Sequence, residues 1–199
     1  MSALIIGTST LSEHLAGIAI ADASREEIRE RVCKADRVFH LAPSDVALTQ
    51  NILDACEEYD RPLLLASSAE VYGRTICGVA KETDPLILSP NASPNVLATL
   101  LAERSAIERG LRVVIARLFD LAEDSMLGRL LHAARQNRPL RIFGTGLTER
   151  AYLHAEDAAA ILVRLTLVGR ADVKFLLFMR WHIRNEKKVV VVDCGKARR

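Results

Sequence analysis

The stretch ASSAEVYG, residues 66–73, gathers hydroxyls, a carboxylate and a phenol. Ser68, Glu70 and Tyr72 alternate, so in an extended strand they would point to one side. The apolar run RPLLLASS that leads into them reads as a buried strand. The three residues would then sit at a strand's carboxyl end, where open α/β sheets bind ligands. A carboxylate beside such an edge can act as a general acid/base if desolvation raises its pKa. The same residues also read as a strand-end serine and a solvated loop glutamate. His40 and His154 fall at strand ends as well. Neither has a second ligand at metal spacing, so both read as structural and no metal site is signalled.

The elements that must position these groups follow a regular order. ALIIG (3–7) has the form of a buried strand, and STLSEHLAG that of a short helix stopped at Gly17. IAIAD (18–22) reads as a second strand. SREEIRERVCKA reads as a helix with Ser24 as N-cap and Glu27 completing a capping box. DRVFHLA (36–42) is a third strand. DVALTQNILDACEEY is an amphipathic helix with Val46, Ile52, Leu53 and Cys56 spaced for an inward face. After a long loop with Gly and Pro come a helix over 95–109, the strand RVVIARLF, a helix over 125–137, LRIFG and a helix over 155–165. Almost wholly apolar strands alternating with helices predict an α/β fold with a parallel sheet.

Composition supports one folded domain over residues 1–165. The chain has 199 residues, 50% of them hydrophobic and 26% charged, which suits a sizeable core rather than disorder. The net charge is +2, from 27 basic and 25 acidic residues, and argues for neither a nucleic-acid nor a membrane partner. Cys33, Cys56, Cys77 and Cys194 form no CxxC pair, so a reduced, cytoplasmic setting is expected. The N-terminus lacks the basic region of a signal peptide, and no apolar run approaches a membrane span. Residues 166–199 hold two apolar runs that read as terminal strands of unassigned role, and a truncated or frame-shifted chain is a reading this tail leaves open.

Taken in order, ADRVFHLA, NILDAC, LLLASSAEVYG, AER, VVIARLF and RPLRIFGTGLTERAYLHAEDAAAILVRL resemble the extended short-chain dehydrogenases/reductases, the NAD-dependent epimerase/dehydratase family. The resemblance runs from about residue 18 to 165. ASSAEVYG is similar to the form seen in UDP-glucuronate decarboxylases and dTDP-glucose dehydratases. The resemblance implies a Rossmann-type fold with helices on both faces of the sheet, a bound NAD or NADP and a nucleotide-sugar substrate. It leaves a homo-oligomer open. It also implies that Ser68 bonds the sugar, that Glu70 is the decarboxylase- or dehydratase-type carboxylate, and that Leu41 and Ala42 line the cofactor. Arg150 falls at the arginine for the substrate diphosphate, where a bidentate fork suits the ligand. Asp120 occupies the Asn of the family's RxFNxYGP motif.

The departures from the family bear on activity. The dinucleotide fingerprint uses three glycines, and here only Gly7 remains, with Ser9 and Ser12 at the later positions. Asp22 lies fifteen residues after Gly7. It therefore resembles the later aspartate near the adenine, and the strand carrying the ribose partner is expected to be missing, with most of the substrate domain. The family's Tyr–Lys pair, one helical turn apart, falls on Asn95 and Thr99, neither of which can transfer the proton that accompanies hydride transfer. Tyr72, with Lys81 nearby, is a conceivable stand-in. The expectation is a diverged nucleotide-sugar enzyme with weak or lost cofactor binding and catalysis. The rivals are a non-catalytic scaffold and an enzyme working through Ser68 and Glu70.

Overall fold

A computed structural model describes residues 2–21, 23–73, 84–88, 90–140, 150–167, 173–177, 179–183 and 190–193. Eight of its strands and helices make the first half: β1 (Ala3–Ile6), α1 (Thr10–Glu13), β2 (Ile18–Ile20), α2 (Arg25–Lys34), β3 (Arg37–His40), α3 (Val46–Glu58), β4 (Leu63–Ser68) and a 3₁₀ turn (Ala69–Tyr72). The second half holds α4 (Pro94–Glu108), β5 (Val113–Leu118), β6 (Asp120–Leu121), α5 (Met126–Arg135), β7 (Arg150–Leu153), α6 (Ala155–Leu167), β8 (Val173–Leu177), β9 (Met179–Ile183) and β10 (Val190–Asp193).

Six strands form one sheet in the order β2-β1-β3-β4-β5-β8, every pairing parallel. The apolar strand runs follow from burial on both faces. Leu4 and Ile6 of β1, Leu63 and Leu65 of β4, and Val113 and Ile115 of β5 pack with Ile28 and Val32 of α2, Ile52 and Leu53 of α3, and Ala102 and Ala106 of α4. The intervening Ile5, Leu64 and Val114 pack on the opposite face with Leu11 of α1 and Ala158, Ala159 and Leu162 of α6. A smaller sheet runs β10-β9-β7-β6.

Caps define the helix starts. Ser24 accepts from the Glu27 N–H at 3.2 Å, Asp45 from the Leu48 N–H at 2.9 Å, and Ser93 from the Val96 N–H at 3.4 Å. The capping box expected at Ser24 is only half made. The Glu27 carboxylate instead accepts from Arg31, one turn on, at 2.7 and 3.0 Å. The inward face expected for α3 also needs a correction at its start. Ile52, Leu53 and Cys56 are buried, whereas Val46 is 45% exposed and lines a surface groove with Ala98 and Leu101 of α4.

The chain's direction reverses around β1. From β1 it passes through α1 to β2 on one side, then through α2 back across to β3 on the other. Such a switch point opens a crevice at the carboxyl ends of the strands. Among the described residues, β2 is the one strand outside β1 in this sheet.

Candidate functional site

Gly7 leaves β1 at φ +101, a conformation that L side chains rarely adopt. A Cβ there would lie 2.9 Å from the Ala42 Cβ and 3.0 Å from the Ala42 nitrogen, so the turns after β1 and β3 touch. Gly7 N–H donates to the Ile20 carbonyl at 2.9 Å, and Leu41 N–H to the Ile6 carbonyl at 2.8 Å. Gly7, Leu41 and Ala42 therefore meet at the switch point. Asp22 lies outside the described residues.

Ser9 and Ser12 satisfy each other. Ser9 N–H donates to Ser12 Oγ at 3.1 Å, and Ser12 Oγ donates to the Ser9 carbonyl at 2.7 Å. Ser12 N–H donates to the same carbonyl at 2.9 Å. A turn built to receive phosphate keeps such N–H groups open. Here the box that starts α1 uses one, and α1 is only four residues long.

At the end of β4 the single-sided arrangement expected of Ser68, Glu70 and Tyr72 does not form. The strand stops at Ser68, whose Oγ caps the following turn by accepting from the Glu70 N–H at 3.1 Å. The turn separates the two residues that alternation would have joined. Glu70 is exposed, and Tyr72 is turned into the core at 2% exposure.

Tyr72 joins a network that sequence reasoning missed. Ser67 and Arg117 are paired neighbours on β4 and β5, and both face α4. Glu103 of α4 reaches down between them. Arg117 donates to Glu103 from Nε at 3.0 Å and from Nη2 at 2.6 Å, and from Nη1 to Tyr72 Oη at 2.6 Å. Ser67 Oγ donates to Glu103 Oε1. The guanidinium also lies 4.8 Å from the centre of the Tyr72 ring. Burial disfavours its charge, but Glu103 and the Tyr72 hydroxyl outweigh that and raise its pKa above the ordinary arginine value. Two signals could have exposed the network: a charged residue inside the apolar strand VVIARLF, and Glu103 one turn beyond Thr99 on the buried side of α4.

The two positions of the expected proton-transfer pair do sit one turn apart on α4. Asn95 is exposed, while Thr99 is buried and its hydroxyl donates to the Asn95 carbonyl at 2.8 Å. That local bond leaves the Thr99 hydroxyl committed to its own helix. Tyr72 is 2% exposed, and its oxygen accepts from Arg117 inside the core network. Lys81 lies outside the described residues.

His40 is fully buried, with Nε2 2.8 Å from Thr49 Oγ1 of α3 and no hydrogen-bond partner at Nδ1. Burial, the leading cause, holds its pKa down to about 4. His154 Nε2 lies 3.0 Å from Glu123 Oε1. Cys33 and Cys56 are free thiols, and burial pushes Cys56 up to about 12, which leaves it inert. Asp120 is exposed on β6 opposite Tyr152. Arg150 begins β7 opposite Trp181 of β9, and its side chain lies outside the described residues. Among the described residues no group of His, Cys, Asp and Glu could hold a metal ion, and no helix is long and apolar enough to cross a membrane.

A doubly covered parallel sheet with a crevice at its switch point defines the Rossmann-like class of α/β fold. A family model described as NAD dependent epimerase/dehydratase matches residues 14–178, and the chain belongs to that family. The match begins beyond the Gly7 turn. The uncharacterized UDP-glucose epimerase YtcB of Bacillus subtilis (strain 168) is 28% identical over 142 residues, covering 66% of this chain and 45% of the relative. A UDP-N-acetyl-alpha-D-glucosaminuronate decarboxylase of Bacillus cytotoxicus is 27% identical over 186 residues, covering 76% and 58%. The chain thus spans about half the length of these curated relatives. Among solved structures, UDP-N-acetylglucosamine 4-epimerase from Bacillus cereus superimposes with a TM-score of 0.72 at 18% identity, covering 89% of this chain and 76% of that one. MoeE5 in complex with UDP-glucose and NAD superimposes at 0.74 with 21% identity, covering 96% and 78%. At these identities the likeness is one of fold.

Proposed function

We propose that this chain is a diverged nucleotide-sugar epimerase/dehydratase whose catalysis is weak or lost. The observation that carries this reading is the Thr99 hydroxyl bonded to the Asn95 carbonyl at the two positions where the family resemblance implies the Tyr–Lys pair. Neither side chain offers a titrating group near neutral pH. Glu70 is exposed to solvent on its turn, and the turn separates it from Tyr72. This weakens the reading in which Ser68 and Glu70 carry the reaction.

NAD or NADP is the cofactor the family implies, and its binding is weak or lost here. The crevice floor fits a dinucleotide, since Gly7 lets the turns after β1 and β3 meet. The donors do not fit its pyrophosphate, because Ser9 N–H and the Ser12 hydroxyl are used within the turn. The ligand favoured for the remaining cleft is a nucleotide-sugar, with Asp120 and Arg150 on the substrate side. Residues 1–165 make the body of the Rossmann-like unit in this reading, 166–199 supply terminal strands of which β8 joins its sheet beside β5, and the protein is in the cytoplasm.

Titration with NAD(H) and NADP(H), followed by fluorescence, and an assay for UDP-sugar conversion test the proposal. Weak or absent binding and no turnover are expected. Turnover by the unaltered chain at an ordinary enzymatic rate, a kcat of about 1 per second or more, would overturn it. If Glu70→Gln then abolished that turnover, the Ser68/Glu70 enzyme would be the better account. A binding scaffold is the outcome if the cleft takes neither cofactor nor sugar nucleotide.

A further inference from the structure

Thr10 opens α1, directly after the turn that leaves β1, and its hydroxyl donates to Asp124 Oδ1 at 2.6 Å. Asp124 comes from the segment between β6 and α5. The preceding residue, Glu123, accepts from the Ala155 N–H at the start of α6 at 3.2 and 3.3 Å, and its Oε1 lies 3.0 Å from His154 Nε2. The Ala122-Glu123-Asp124 segment is therefore tied to the starts of both helices on one face of the sheet. Asp120, Leu121, Asp124 and Ser125 line a surface hollow of about 180 Å³ beside it.

We propose that Asp124 is a specificity-determining residue that turns the first turn against ligands carrying a pyrophosphate. The inference rests on the reading of a weakened cofactor site and names its electrostatic cause. Three effects act in the same direction. The carboxylate repels a phosphate approaching the turn. It takes the Thr10 hydroxyl, which would otherwise be a donor to that phosphate. The Ser9 N–H next to it is already committed to Ser12. An uncharged nucleoside meets no such penalty. Because Asp124 is exposed, solvent and salt screen its field, which limits the effect to about tenfold in Kd.

Calorimetric titration of NAD+, ADP and adenosine into the unaltered chain and into Asp124→Asn, Asp124→Ala and Thr10→Val decides the matter. Both Asp124 variants should tighten NAD+ and ADP about tenfold and leave adenosine within about twofold. Thr10→Val keeps the charge and should gain nothing. Thermal melts establish that the variants fold. If they do not, raising the salt concentration on the unaltered chain should tighten ADP relative to adenosine as the repulsion is screened. The inference is overturned if NAD+ and ADP do not gain, if adenosine gains as much, or if neither variant binds measurably. Low-micromolar NAD+ binding by the unaltered chain would sink the weakened-site reading itself, whereas weak affinity unchanged across the variants sinks only the role of Asp124.

Discussion

Two sets of polar residues on β4, α4 and the adjoining elements have opposite fates. Ser67, Glu103, Arg117 and Tyr72 face inward and satisfy one another in a closed network, with Arg117 and Glu103 each 1% exposed. Ser68, Glu70 and Thr99 lie one, two and four residues from a member of the first set, and Asn95 lies one helical turn before Thr99. Among the described residues, the bonds they share are local side-chain to backbone contacts, Glu70 N–H to Ser68 Oγ and Thr99 Oγ1 to the Asn95 carbonyl. A buried charge without its partner is strongly destabilising, so the inner set cannot drift one residue at a time. The outer set carries no such constraint and can lose its chemistry while the fold stands. The lesson is that a preserved framework around a site says little about whether its reaction survives.

The largest effect should come from breaking the inner set. Arg117→Met or Glu103→Ala alone should cost about 3–5 kcal/mol in urea denaturation, because each strands the other buried charge. The double change Glu103→Leu with Arg117→Met should recover most of that loss. Additive losses would show that the two residues do not act as a pair.

His40 gives the next largest effect. Its folded pKa is depressed to about 4, against an unfolded value near 6.5. Between those values the unfolded chain binds the extra proton. His40's contribution to stability is therefore full above about pH 6.5 and declines as pH falls toward 4, by about 3 kcal/mol in all. Denaturation midpoints at pH 7, 5.5 and 4.5 would show this, and His40→Gln should flatten that part of the profile. A profile unchanged by the substitution would contradict it.

Tyr72→Phe removes one acceptor from Arg117 and should cost about 1–2 kcal/mol by the same measurement. The outer set should hardly respond. Glu70→Gln and Asn95→Ala should each change stability by less than about 0.5 kcal/mol. A loss as large as that of Tyr72→Phe at either position would erase the contrast between the two sets.

Much of the fold was legible in the sequence. Apolar runs marked the strands, Ser24 marked the start of one helix, and Gly7 marked the turn after the first strand, whereas the caps Asp45 and Ser93 emerged from the structure. The site was less so. Alternation placed Glu70 and Tyr72 together, but the chain turns at Ser68 into a 3₁₀ segment and sends them to solvent and to core. Helical spacing placed Val46 inward, but spacing cannot say where the partner surface ends. Arg117 and Glu103 went unread because their partnership spans 14 residues, and Tyr72 lies 45 residues from Arg117.

By itself, the sequence determined the alternation of strand and helix, the burial of the strands on both faces, and the absence of an ionisable pair at positions 95 and 99. These are properties of residue type and short-range spacing, which act through local backbone preference and hydrophobic burial. Only the tertiary structure decided which polar groups face each other. It closed Arg117 onto Glu103 and Tyr72, committed Thr99 to its own helix, and set Asp124 against Thr10, 114 residues away. Hydrogen bonds and charge pairs depend on distance and direction in space, and those exist only once the sheet has brought distant segments together.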